Sequence, residues 1–382
     1  MKLTATALVG AISMALLASV AEATPQFARK YRVDCSACHS APPKLNQPGE
    51  DFRARGYRFD DPAPFPSHPT APVAVWNTYD VEYRDAQRLT KAFPSRIEII
   101  TAGTIGQRVS YFAELRALSQ SIGAGNRLLN RSGRFEDLFA TVGLDRRGSV
   151  TLTMGQFRTL NQVDVSLRIG LSEPLALSAG IPDARRASTP RLTSLRGFSP
   201  SGRQPAVRVM YHRLGGTHAA DGWYSALTLP LVGELTIPAT EAASFELEAR
   251  PKGIFGESYL RRGMTSIGGH FFAGDRRGLG SAVLSTEIGA RWAVLAAAGF
   301  DRTRGLTQGR FSVGGEFHAD PITLGARVDH RTRQRRDPVV LAYANAHLPF
   351  GPARFRQAIR VQFEQTIQRR NMRSGVALSH VF

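Results

Sequence analysis

The chain has 382 residues, with 49 Lys and Arg against 31 Asp and Glu, a formal net charge of +18 and only two cysteines. Beyond residue 23 no stretch reaches the ~20 apolar residues that a membrane-crossing helix needs, so helical insertion is excluded while a barrel is not. A chain of this length exceeds the usual single-core domain, and it either splits into two or forms one large closed structure.

Residues 1–23 begin with Lys2, run apolar from Ala5 to Val20 and close on Ala21-Glu22-Ala23. Those are the three parts of a secretory signal peptide. The arginine excess would otherwise suggest nucleic acid. An exported chain meets no genomic DNA, so no nucleic-acid partner is expected.

Both cysteines lie just behind that signal, in Cys35-Ser36-Ala37-Cys38-His39. Two thiols three positions apart and followed at once by an imidazole is the arrangement for covalent haem attachment. Cys35 and Cys38 would form the thioethers and His39 would be the proximal iron ligand, giving one haem c. A redox disulfide is the alternative for such a pair. The adjacent His39 and the lack of an alternating strand-helix pattern around it favour haem.

Residues 24–70 form the haem segment. Asn46 caps a short helix whose first turn holds Pro48, Glu50 and Asp51 and which stops at Gly56. Phe27, Leu45, Phe52, Tyr57 and Phe59 are the apolar cover available to a haem face. Asp61 to Pro72 contains five prolines, a stiff extended linker.

From there to the end, residues 71–382, the dominant period is two. In Ile322 to Asp329 the even positions are apolar and the odd ones are Thr, Gly, Arg and Asp. Similar combs run at Tyr79–Arg84, Arg108–Leu118, Val163–Leu171, Val207–His212, Phe245–Arg250, Ala282–Val294, Phe311–His318 and Arg354–Glu364. Such strands form either a soluble sandwich or an outer-membrane barrel with its oily face to lipid. Val376, Leu378, His380 and Phe382 alternate up to a terminal Phe, the form of a last barrel strand. An all-β antiparallel outer-membrane barrel is therefore expected. At ~19 residues per strand with its connections, about 16 strands result, enclosing an aqueous lumen.

Asn126–Asp137 and Pro182–Pro205 break the comb and read as extracellular loops. Parity points Met210, His212, Met264 and His270 into the lumen, beside acids such as Glu287, Glu316 and Asp329 and arginines such as Arg116, Arg208 and Arg327. The sixth iron ligand is not fixed by any motif; His68, Met210 and Met264 are the candidates. A segment of ~45 residues is about 20 Å across, so it fits within such a barrel or at its periplasmic mouth.

The order Pro25-x-Phe27-Ala28-Arg29, Cys35-Ser-Ala-Cys38-His39, Leu45-Asn46-x-x-Gly49-x-x-Phe52, Gly56-Tyr57 and then a barrel ending in Phe resembles the fused cytochrome-porins of iron-oxidising bacteria. Met154-Gly155-Gln156-Phe157 is similar to a Gly-Gln-Phe strand of that family. The resemblance implies an oxidoreductase that takes electrons from extracellular Fe(II) onto haem c. A soluble periplasmic cytochrome or copper protein would carry them onward. Haem chemistry alone leaves open another donor or acceptor, or a porin with a haem-bearing gating plug.

Overall fold

The computed structural model describes residues 25–34, 37–41, 44–59, 68, 71–84, 89–122, 128–130, 132–145, 148–160, 175–178, 198–200, 202–214, 221–234, 246–274, 277–289, 291–303, 306–319, 322–332, 338–350, 357–368 and 371–381. The expected signal peptide, Cys35, Phe382 and the comb at Val163–Leu171 lie outside these residues.

Two short helices, α1 (Pro25–Tyr31) and α2 (Gln47–Ala54), flank a small ribbon of β1 (His39–Ala41) and β2 (Lys44–Leu45). The wall then begins with β3 (Val73–Arg84), β4 (Leu89–Ile105) and β5 (Val109–Ile122). After β6 (Leu128–Asn130) come β7 (Arg134–Gly143) and β8 (Val150–Arg158), and after the four-residue α3 (Leu175–Ser178) come β9 (Arg203–Leu214) and β10 (Gly222–Glu234). The short β11 (Glu246–Pro251) precedes β12 (Gly253–Arg262), β13 (Thr265–Gly274), β14 (Arg277–Ile288) and β15 (Trp292–Thr303). The last five are β16 (Leu306–Ala319), β17 (Ile322–Arg331), β18 (Val339–Phe350), β19 (Gln357–Gln368) and β20 (Asn371–Val381).

Neighbours pair antiparallel throughout, and the ring closes where β20 meets β3, with Val376 opposite Val81 and Val381 opposite Trp76. Among the described residues, the closed wall uses every strand from β3 to β20 except β6 and β11, sixteen in all. Closure satisfies every strand edge, which a bilayer demands of any β structure crossing it.

Alternation sets which side is which. Ile322, Leu324 and Val328 are exposed on the outer face, while Thr323, Arg327 and Asp329 between them are buried inside. The same division holds along β10, where Trp223, Leu227 and Leu229 face out and Tyr224, Ala226 and Thr228 face in. An apolar exterior around a closed ring is the surface that lipid covers.

The inner face departs from an evenly charged aqueous lining. From β9 to β15 it carries Met210, Tyr224, Phe255, Tyr259, Phe272, Leu279, Val283 and Leu295, all buried in one apolar cluster. Part of the chain between β8 and β9 covers them. The Ala176 amide donates to Ser312 Oγ (2.9 Å), and Ser281 Oγ donates to the Ala176 carbonyl (2.7 Å). Phe198 stacks on Phe272 with centroids 3.9 Å apart. Of the segment expected as an extracellular loop, residues 182–197 lie outside the described residues, whereas Phe198 lies inside the barrel and β9 begins at Arg203. The other expected loop is likewise shorter, since β7 starts at Arg134. The Ala282–Val294 comb is two strands joined by a turn at Gly289.

Candidate functional site at the mouth of the barrel

The N-terminal segment sits at the end of the barrel where β3 begins. Lys30 Nζ donates to Thr104 Oγ1 (3.1 Å), Arg29 Nη2 to the Ala71 carbonyl (3.4 Å), and Arg58 Nη1 to the Gln107 carbonyl (3.1 Å). His68, in the linker, has its amide bound to the Lys30 carbonyl at 2.7 Å, which ties the linker back onto α1.

Local sequence accounts for the fold of this segment. Asn46 caps α2, its side-chain oxygen accepting from the Gly49 amide at 3.1 Å, and Pro48 occupies the first turn, where an amide is dispensable. The helix ends as expected near Gly56. Gly56 (φ 69°) and Tyr57 (φ 61°) both turn left-handed, and the Tyr57 amide reaches back to the Phe52 carbonyl (2.8 Å). Gly49 allows α2 to close on the cysteine motif. A Cβ there would stand 2.1 Å from the Cys38 carbonyl oxygen, which also accepts from the Asn46 amide (3.0 Å).

Phe27, Phe52, Tyr57 and Phe59 come together, joined by Tyr31, which sequence reasoning missed. Phe27 meets Phe52 edge-on (4.9 Å), Phe52 meets Phe59 (4.6 Å) and Tyr31 meets Phe59 (4.8 Å). Aromatic pairs of this kind add about 0.5–1.5 kcal/mol each beyond their area. The cluster packs on Ala74, Ile100, Ala102 and Phe112 of the wall. Leu45 stands apart, against Gly49.

Cys38 is a free thiol, partly buried, and burial pushes its pKa up. His39 follows on β1. Two observations fit a covalently attached haem here. The Cys38 thiol directly precedes an imidazole, and Gln26 on α1, 2% exposed, keeps both amide atoms without partners among the described residues. A buried amide of that kind calls for a polar partner.

The lumen candidates divide. Met210 and His212 on β9 and His270 on β13 are buried and inward-facing. Met264 instead falls in the two-residue turn between β12 and β13, where Gly263 (φ 56°) reverses the chain, so parity does not apply to it. Glu316, Asp329, Arg116, Arg208 and Arg327 lie on the inner face as expected.

Sequence reasoning also missed a charge network on β4, β5, β7 and β9. Arg203 bonds Asp137 (2.9 Å), Glu136 (2.7 Å) and Glu114 (3.3 Å), while Arg116 bonds Glu98 (3.0 Å) and Glu136. Its cause is a bulge. Glu114 pairs with Asp137 but Leu115 with Phe135, so Glu136 is an extra residue that turns into the lumen beside Asp137. Gln156 holds the bulge, its Nε2 donating to the carbonyls of Phe135 (2.6 Å) and Glu136 (3.3 Å). Two successive acids in Phe135-Glu136-Asp137-Leu138 were the available signal, because they break the period of two.

A closed, lipid-jacketed ring with a folded N-terminal segment in its mouth defines a membrane β-barrel. No known family model and no curated protein matches the chain. Solved structures similar to it are variants of the porin of Rhodopseudomonas blastica. A triple mutant is 12% identical, with TM-score 0.48 over 81% of this chain and 99% of that one. Another mutant is 13% identical over the same shares, with TM-score 0.49.

Proposed function

We propose that the protein is an outer-membrane electron-transfer protein that accepts electrons from extracellular Fe(II) through one covalently bound haem c and delivers them to a soluble periplasmic carrier, a cytochrome or a copper protein. The observation that carries this reading is the pairing of the Cys35-x-x-Cys38-His39 motif with a segment seated in the mouth of a closed barrel. When bound, haem supplies one-electron exchange at its iron. Cys35 and Cys38 would anchor it, and His39 would ligate the iron. The aromatic cluster of Phe27, Tyr31, Phe52, Tyr57 and Phe59 would keep water from one side of it. The outer membrane is an insulator, and the barrel provides the passage that a redox group needs to reach both faces. The donor's identity rests on the resemblance to cytochrome-porins.

The test is to isolate outer membranes, look for covalent haem in the heat-modifiable band and follow reduction of the oxidised haem on adding Fe(II). Absence of covalent haem sinks the reading. Haem that stays oxidised with Fe(II) but is reduced by another donor removes iron and leaves the conduit.

A further inference from the structure

Among the described residues, three arginine side chains of the lumen wall are almost fully buried: Arg208 at 5% exposure, Arg310 at 1% and Arg327 at 2%. Two have a counter-charge, Arg310 with Asp301 (3.0 Å) and Arg327 with Asp329 (3.0 Å). Arg208 has no carboxylate partner among the described residues. Its Nε donates to Thr228 Oγ1 (3.3 Å), and its Nη2 to the carbonyls of Arg158 (2.6 Å) and Thr159 (3.2 Å). The guanidinium carbon lies 4.3 Å over the Phe157 ring. Nη1 makes no hydrogen bond among the described residues. Two carbonyls, a hydroxyl and a ring face hold the guanidinium without neutralising it, which leaves its positive charge available to an anion.

Beside Arg208 lies a cavity of about 180 Å³ between the wall, α2 and the start of the segment that follows β8. Arg53, Arg158 and Arg203 also line it, as do the rings of Tyr57 and Phe139. Its one acid, Asp137, is already held by Arg203. We propose that this cavity is a carboxylate or small-oxyanion site, with Arg208 as its principal donor and the rings covering the apolar flank of the ligand.

Two sources supply that chemistry. One is a propionate of the haem, which rests on the function proposed above. α2 runs from Gly49, against the Cys38 turn, to Arg53 at the cavity, a rise of about 6 Å, so the cysteine motif and the cavity lie one helical turn apart along α2 and Arg208 would be within the reach of a group attached at Cys38. The other is a free anion.

The experiment is calorimetric titration of acetate and of phosphate into two full-length, heat-modifiable proteins. One carries the haem, and the other carries Cys35→Ala and Cys38→Ala. Arg208→Gln is made in both. The haem-free protein is expected to bind anion, and Arg208→Gln to weaken that binding at least tenfold. Loss of anion binding in the haem-loaded protein, with a changed pH dependence of its midpoint potential in Arg208→Gln, identifies the propionate. Equal binding in both proteins identifies a free anion. Anion affinity unaltered by Arg208→Gln, or no binding together with an unaltered potential and pH dependence, overturns the site. Where Arg208→Gln fails to assemble, Arg208→Lys keeps the charge and loses the planar fork, and the same affinity loss is expected. Absence of covalent haem from the wild-type protein would defeat the proposed function and leave the haem-free titration fully interpretable.

Discussion

Tyr57 lies against Phe112, their ring centroids 5.4 Å apart and their planes 24° from parallel. Tyr57 belongs to the N-terminal segment and Phe112 to β5, so this stack is a seam between plug and wall. On its other side Tyr57 stacks with Phe27 (5.8 Å, 6°). The left-handed backbone at Tyr57 costs about 1 kcal/mol or more in a non-glycine residue, and the ring's seat between Phe27 and Phe112 over-determines it. A segment fastened this way is a fixed part of the barrel.

Tyr57→Ala is therefore expected to loosen the segment without unfolding the barrel. The lost packing is about 1–3 kcal/mol, taken mostly from the plug. Limited proteolysis should cleave near residues 60–70 at least fivefold faster, while the heat-modifiable shift on gels stays as in the wild type. Tyr57→Phe keeps the stack and should behave as wild type. Equal cleavage of all three proteins would show that the seam does not hold the segment.

Gly49→Ala brings a methyl group to within 2.1 Å of the Cys38 carbonyl, a backbone atom that cannot swing aside. The turn carrying Cys38 and His39 must shift. We expect haem incorporation, read from the pyridine haemochrome spectrum, to fall severalfold at unchanged barrel yield. Full haem loading in Gly49→Ala would show that α2 does not need to close on the motif.

Much of this architecture was legible from the chain. The period of two gave the strands, and their number followed from length, because lipid fixes how many residues cross it. The Asn46 cap and the stop at Gly56 followed from local chemistry. What was not legible came from contacts distant in sequence. Period two cannot tell that the inner wall near Phe255 and Phe272 is apolar because Phe198 covers it. Nor can it place Glu136, since a bulge shifts every later side chain by one. Met264 failed for the opposite reason: a two-residue turn hides inside an otherwise continuous comb.

Replacing His39 by Ala removes the imidazole while leaving both cysteines for attachment. The expected product is an assembled barrel whose haem, if attached, has an altered Soret band and is not reduced by Fe(II). Loss of the barrel itself would mean that the haem segment is needed for assembly and is not a separate carrier in its mouth.

Cys38 supplies a pH test in haem-free protein. Burial raises its thiol pKa in the folded state, so the thiolate is disfavoured there relative to the unfolded chain. A raised folded pKa contributes stability that is fully present below the unfolded thiol value, ordinarily near 8.5–9, and is lost as pH rises through the folded value. Iodoacetamide labelling should thus be slower in the native protein than in urea at pH 8. The ratio should shrink toward the accessibility limit above pH 10.

Gln156→Leu removes the donor that holds the Glu136 bulge while preserving side-chain size. Two carbonyls, of Phe135 and Glu136, lose their partner, and a buried unsatisfied group costs about 1–3 kcal/mol. If β7 then slips into regular pairing, Glu136 swings to the lipid face and Arg203 keeps Asp137 and Glu114 alone. The heat-modification midpoint should fall by several degrees, and adding Glu136→Leu should recover part of the loss, since a leucine is acceptable on either face of the slipped strand. If Gln156→Leu leaves the midpoint unchanged, the backbone holds the bulge without it. If Glu136→Leu deepens the loss, the carboxylate stays with Arg203 and Arg116 even when Gln156 is gone.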